Sequence, residues 1–500
     1  TIRSIGVSLP IQRGDDNYNA TVSVSFRIRG TDTWRDALPL FRVRPEYLST
    51  EDISPFPIGE QFAGSILDLQ PDTSYEIRLQ VQDPDGVNGD ATQNLVVRTR
   101  NIPKSGPESP RIVAVSSSGA LNQALSNARA GDVISIANGT YNGAVGISRS
   151  GTAANPIIIR GESAGGVVIN APGADAGISI KGSHVYVEDL TVRGSHWGMK
   201  VPADADDVVI RRCHILEIDR GIDGRGDAHT NFTIYDNVLE GRVVWPDTSD
   251  ATWDVEGIAV TGSGHAVFHN TVSGFGDSIG LSQYTDIPNR AIDLHNNLVL
   301  WGGDDGIEAD FGERNIRVFR NCVNNTHSGI SMQPMWGGPG YIYRNIIYNA
   351  EANPYKLKNE TSGFLIYHNT SVKGQIAWEH YSDRVANFTM NNNLVIGTTE
   401  PAHSSSEMVE HEIDYNGWYP DGGFRFGDLQ VDNFSQLRNQ TPYEHNGVLL
   451  KEPIFETHVP IPAQFDDFMV DPIDITRHSK RNGVAARRSE SNINEDFTGV

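Results

Sequence analysis

Val318-Phe319-Arg320-Asn321, Ile342-Tyr343-Arg344-Asn345 and Ile366-Tyr367-His368-Asn369 state one phrase three times at intervals of 24 residues. Working outward, related segments end at Leu190, Cys213, Asn237, Asn270 and Asn296 on one side and at Asn392 on the other, giving steps of 23, 24, 33, 26, 25, 24, 24 and 23. Each segment has the alternation of a strand, so the period predicts one coil of a parallel β-solenoid per repeat; no coil can bury its face without the next. The asparagines that close the phrases are expected to stack at a coil corner as a hydrogen-bonded ladder. The 33-residue step marks an insertion around Trp245 to Glu256, which carries Trp245, Trp253, Asp247, Asp250 and Asp254.

A second phrase, a small residue followed by an apolar one, recurs as Gly198-Met199, Gly221-Ile222, Gly257-Ile258, Ser278-Ile279, Gly306-Ile307 and Gly329-Ile330. Because side chains alternate across a strand, Met199, Val201, Ile258, Val260, Ile279, Leu281, Ile307, Ala309, Ile330 and Met332 line the core. The intervening residues face outward: Lys200; Asp223 and Arg225; Ala259 and Thr261; Gly280 and Ser282; Glu308 and Asp310; Ser331 and Gln333; Lys356 and Lys358. They predict one solvated stripe along the solenoid, with its charge gathered at the Glu308 coil. Cys213 and Cys322 fall near one corner four coils apart, roughly 19 Å at about 4.8 Å per layer, which predicts two separate, mostly buried thiols.

Outside the repeat the pattern changes. Residues 1–100 hold short alternating stretches, such as Thr21 to Ile28 and Tyr75 to Val81, between Gly, Asp and Pro turns, the pattern of a β-sandwich. Asn101 to Pro110 has the Pro, Gly and Ser content of a linker, and the boundary is placed there. Leu121, Ala124, Leu125 and Ala128 form the apolar stripe of a short helix. The expected division is sandwich 1–100, linker 101–110, β-helix 111–400, and loops capping the last coils over 401–500, with Arg477, Lys480, Arg481, Arg487 and Arg488 as a solvated end. The fold class is therefore all-β.

A chain of 500 residues with 38% hydrophobic content and 50 glycines is neither disordered nor collagenous. Its 63 acids against 40 bases, a formal charge of −23, argue against a broad nucleic-acid or anionic-membrane footprint. No apolar run is long enough for a membrane span. Thr1 to Pro10 lack the layout of a signal peptide, so the chain reads as mature or cytosolic.

Gly131 to Tyr141 together with Ser150 to Ile159 resemble the entry of right-handed parallel β-helix polysaccharide lyases, in which a helix caps the first coil. Leu69 to Tyr75 resembles the tyrosine-corner segment of fibronectin type III domains. The densest acid cluster, Asp304-Asp305-Gly306-Ile307-Glu308-Ala309-Asp310, has Asp277 one coil before it. So many carboxylates on one small surface must either hold protons or bind a hard cation such as calcium.

The Asp-Asp-Gly-x-Glu pattern, with Asp277 and the downstream Lys356-Leu357, is similar to family 9 polysaccharide lyases; family 6 is the other lyase family in view. The resemblance implies β-elimination on a uronate polymer, with Ca2+ on Asp277, Asp304, Asp305 and Glu308 and Lys356 as the base. Lys356 falls two coils beyond the acids, about 10 Å along the axis.

Gly303 to Ile307, then His327-Ser328-Gly329-Ile330 and Lys356, also resemble family 28 polygalacturonases, which implies hydrolysis by paired carboxylates, Asp305 with Asp277 or Asp310. A third reading is a non-catalytic glycan-binding adhesin, since repeat surfaces bind long ligands without chemistry. Arg225, Asp310, His327, Gln333, Lys358 and Trp253 are the candidate substrate contacts, with Trp336 a further candidate stacking ring. His269, His295 and His368 read as ladder or core residues. Both enzymatic readings place the protein outside the cytoplasm, secreted or periplasmic, acting on a polysaccharide.

Overall fold

The computed structural model describes residues 1–462, apart from 12–14, 16, 51, 203–204, 283–285, 382 and 456–458. The basic run Arg477 to Arg488 lies outside the described residues. Most strands between Arg111 and Leu449 join in parallel register into a coiled sheet, a right-handed parallel β-helix, and four others between Trp378 and Val431 form a separate small sheet. Two α-helices occur among the described residues, Ser118–Ser126 and Phe434–Gln440. The first starts where the Ser117 side chain accepts the Ala120 amide, and it buries Leu121 and Leu125 over the first coil. The ten residues expected to face the core are all buried there.

Ahead of the solenoid lie the two antiparallel sheets of a β-sandwich. Thr21–Ile28 pairs with Ser74–Gln82, and Val22, Val24, Phe26, Ile77 and Leu79 form its core. Tyr75 packs there too, and its hydroxyl accepts the Gln70 amide at 2.8 Å.

One corner carries the ladder. Asn237, Asn270, Asn297, Asn321, Asn345, Asn369, Asn393 and Asn416 each point inward, and in the run from Asn237 to Asn393 each backbone N–H and side-chain amide donates to the carboxamide oxygen of the next at 2.9–3.1 Å. Two members differ from the sequence alignment: Asn297 and Asn393 occupy the ladder, not Asn296 and Asn392. The cause is the corner geometry. The residue before each ladder asparagine takes a left-handed backbone conformation, as at His269, Arg320, Arg344 and His368, and Asn296 and Asn392 are those residues in their coils. The one-residue shift also moves His295 out of the corner and into an external column of stacked rings, Phe268, His295 and Phe319, 4.6–4.9 Å apart.

The ladder ends on a carboxyl group whose pKa burial pushes up to about 7. Glu444 is buried, and its two carboxylate oxygens accept the Asn416 amide (3.0 Å), the Asn416 side chain (2.7 Å) and the Trp418 indole N–H (2.9 Å). The thiols near this corner are not joined: Cys213 is buried at the start of the ladder and Cys322 is half-buried, less enclosed than expected.

The sandwich docks on the face with the ring column. Leu38 and Leu67 pack with Phe319, Tyr341 and Tyr343. Ser65 donates its amide to the Tyr341 hydroxyl (2.9 Å), and Arg317, buried and ion-paired with Asp293, donates to Ser65 Oγ. Trp336 belongs to this junction: it is 1% exposed, donates to the Asp52 carbonyl and lies edge-on to Phe56, so it is no stacking platform for a sugar.

Glu444→Gln should lower the stability of the folded chain by about 1–3 kcal/mol, because the amide must turn a buried N–H toward a donor of Asn416 or Trp418. An unchanged denaturation midpoint would show that the ladder does not depend on this terminal acceptor.

Candidate functional site

The outward row of one solenoid face can be followed residue by residue. Strand register pairs Gly280 with Glu308, Glu308 with Ser331 and Ser331 with Lys356. Lys356 is thus two layers beyond Glu308, as the period predicts. Its side chain nevertheless bridges the gap: Nζ lies 2.8 Å from Asp305 Oδ2 and 3.7 Å from Asp304 Oδ1. Axial spacing measures backbone separation, and a four-carbon stem covers most of it.

In a regular strand Asp304 and Asp305 would point to opposite faces. The strand Leu298–Glu308 has an irregularity in its pairing between Gly302 and Asp305, and this brings both aspartates to one lysine. The turn is also tight. A Cβ on Gly303 would lie 2.6 Å from Thr252 Oγ1, and one on Gly276 would lie 1.9 Å from the Thr252 carbonyl, so glycine is needed where the 33-residue coil's insertion seats on the site.

Two overlapping oxygen clusters result. One ligand atom each from Asp277, Asp304 and Asp305 lie within 4.8 Å of one another, as do atoms from Asp305, Glu308 and Asp310. The stripe is not solvated here, contrary to expectation. Asp277 is 3% exposed, Asp305 1% and Asp310 2%, and Ser331, Ala259 and Thr261 are buried as well. Asp277 accepts the Asp305 amide at 3.3 Å; Asp310 accepts from Ser331 Oγ and the Gln333 amide at 2.6 Å each. Asp305 Oδ1 is buried with no hydrogen-bond donor among the described residues.

Burial and mutual repulsion set the protonation. Burial, then the charges of Asp305 and Asp304, hold Asp277 well above the usual carboxylate range. Burial and Asp277 do the same for Glu308. Burial and Asp305 push Asp304 up to about 6 and Asp310 up to about 8. Burial alone would discharge Lys356, but Asp305, Asp310 and Asp304 together hold its ammonium above the ordinary lysine value. One ammonium cannot balance five carboxylates. A buried, donorless oxygen among carboxylates within reach of one another is the setting that a hard, oxygen-seeking cation fits.

The other candidates are distributed around this centre. His327 is half-buried; its Nδ1 meets Glu351 at 2.9 Å, and its charge acts on Asp304. Glu351 was missed in the sequence, although it sits 24 residues after His327, one coil on. Trp253 is 46% exposed, next to Thr252 on the insertion, and Asp254 acts electrostatically on Asp304. Lys358 is exposed and Gln333 half-buried beside Asp310. Arg225 is not brought to the cluster. It belongs to the Asp223 coil, three layers away, where Asp223 and Glu256 engage it.

A family model described as chondroitinase B matches residues 115–201, a segment that ends before the acid cluster. No curated protein matches. Solved structures similar to this chain include an alginate lyase from Paenibacillus sp. str. FPU-7, with 18% identity over 60% of this chain and 98% of that one and a TM-score of 0.33. A family 28 exopolygalacturonase from Yersinia enterocolitica has 13% identity over 83% and 98%, with a TM-score of 0.40. Pectate lyase Pel9A has 13% identity over 62% and 80%, with a TM-score of 0.41.

The raised acids carry a pH signature. Folding lifts the pKa of Asp304 and Asp310, so their contribution is fully present below the unfolded carboxylate value near 4 and is lost as pH rises through about 6 and about 8. In chelator, the melting temperature should fall over that window, Asp310→Asn should flatten the upper part, and calcium should restore the loss at pH 8. A profile in chelator that Asp310→Asn leaves unaltered would contradict this.

Proposed function

We propose that this protein, acting outside the cytoplasm, cleaves a uronate-bearing polysaccharide by β-elimination at the Asp305 centre. The observation that carries the proposal is the placement of Lys356, whose amine is, among the described residues, the one in contact with a buried carboxylate cluster suited to a cation. Asp277, Asp304, Asp305 and Glu308 are the residues that would hold Ca2+. When bound, the ion supplies two things: it compensates the carboxylates that keep Lys356 protonated, and it withdraws electrons from the sugar carboxylate, acidifying the neighbouring C–H.

Lys356 then takes the proton from C5, with electrons passing toward C4 and the glycosidic oxygen leaving. His327, doubly protonated, would give its Nδ1–H to Glu351 and transfer its Nε2 proton to that oxygen, ending as the neutral ring. Trp253 offers an exposed ring face to a pyranose and Lys358 an exposed charge to an acidic substituent.

The hydrolytic alternative finds less support. An inverting pair needs carboxyl groups roughly 6.5–9.5 Å apart to admit a water. Asp305 and its candidate partners Asp277 and Asp310 have oxygens within 4.8 Å, and Asp305 Oδ2 is engaged by Lys356.

Incubation with uronate polymers should release an unsaturated sugar that absorbs in the near ultraviolet, and chelator should abolish the signal. Lys356→Ala and Asp305→Asn should each lower kcat by about 10²–10⁴-fold with folding retained. New reducing ends without that absorbance would establish hydrolysis instead, and the absence of both would leave a binding module.

A further inference from the structure

We infer that the N-terminal end of the same outward row forms a second, non-catalytic subsite that grips a carboxylate-bearing sugar of the chain being cleaved; the inference rests on the reading above. From Glu308 the register continues through Gly280, Ala259 and Asp223 to Lys200 and Ser179. Lys200 is therefore four layers from Glu308, ~19 Å at about 4.8 Å per layer. Beside it lies a cavity of about 420 Å³, lined in part by Val145, Asp175, Ser179, Lys181, Lys200 and Pro202. Its scale and its mixture of apolar wall and few polar groups suit a sugar residue.

The charge of this region is unusual for a chain of net −23. Lys200, Arg220 and Arg225 surround the ring of Trp197 at 5.3–5.6 Å, and Lys181 lines the cavity together with Lys200. The two guanidiniums are already satisfied, since both bind the buried Glu256 and Arg225 also binds Asp223. The two ammoniums are differently placed. Lys200 has Asp175 at 3.3 Å, but that side chain is 73% exposed; its other neighbour, Asp223, is at 4.0 Å and shared with Arg225. With the lysine half-buried and its acid partner facing solvent, such a pair is worth only about 1 kcal/mol, and the acid is readily exchanged for a ligand carboxylate. Lys181 is exposed and makes no ion pair among the described residues. The cavity thus sets two exchangeable cations against one solvent-facing acid.

A contact so far from the scissile bond strengthens ground state and transition state alike, so it should act on KM and not on kcat. The Lys181→Ala, Lys200→Ala double variant should raise KM about tenfold for oligouronates long enough to span four layers and leave both constants unchanged for short ones, whereas the corresponding double Arg variant should behave as the parent. Calorimetry in an Asp305→Asn background, with the same oligouronates, measures the grip without turnover. Weaker binding on loss of the lysines, alongside a parent that releases no unsaturated product, would keep this subsite and remove the elimination reading. Equal affinity for long oligouronates with and without the lysines, or no oligouronate binding at all, overturns the subsite.

Discussion

Everything in the solenoid follows from register: each coil sets its side chains directly over those of the coil before, about 4.8 Å away. Like then stacks on like. For asparagine this is favourable, because one carboxamide both donates and accepts, and the run from Asn237 to Asn416 stays fully paired until Glu444 supplies the final acceptor. For rings it is also favourable, and Phe268, His295 and Phe319 stack accordingly. For carboxylates the same rule is costly. Asp277, Asp305 and their neighbours are brought together by the geometry that stabilises the rest of the solenoid, and burial removes the water that would screen them. A site that runs against the stacking rule so plainly is where function is expected.

Much of this was legible in the sequence, for physical reasons. A period near 24 with strand alternation admits few architectures, and alternation alone assigned the ten core residues from Met199 to Met332. The acid centre was also legible, since Asp277 and Asp304 to Asp310 are clustered in consecutive coils. What escaped was anything that depends on where the strand ends and the turn begins. Asn296 and Asn297 cannot be told apart by pattern; only the left-handed corner residue decides which one turns inward. Exposure escaped as well, because alternation tells inside from outside but not whether an insertion covers the outside, as Thr252 does over Gly303. Trp336 stayed open between stacking and packing for the same reason: a ring on the outer face looks available until the sandwich is placed over it. Lys356 shows the converse error, in which layer counting overstated a distance that a flexible stem closes.

The sandwich has a bearing on the site that neither part shows alone. The strand carrying Lys356 is only two residues long, Tyr355–Lys356, and is paired on one side to Ser331. So short a strand holds a side chain poorly by its own ladder bonds. Directly after it, Asn359 donates to the Asp52 carboxylate, and Glu360 accepts both the amide and the hydroxyl of Thr50 at 2.6 Å. The Asp52 carbonyl meanwhile receives the indole N–H of Trp336. One loop of the sandwich therefore grips the segment on the C-terminal side of the lysine as well as the neighbouring coil. Because the amine reaches Asp305 from a backbone two layers away, small shifts of that segment would translate directly into loss of the contact. The N-terminal unit is thus better understood as a buttress for the lysine's position than as an appended module, and the burial of Leu38, Leu67 and Ser65 against the ring column is what fixes the buttress in place.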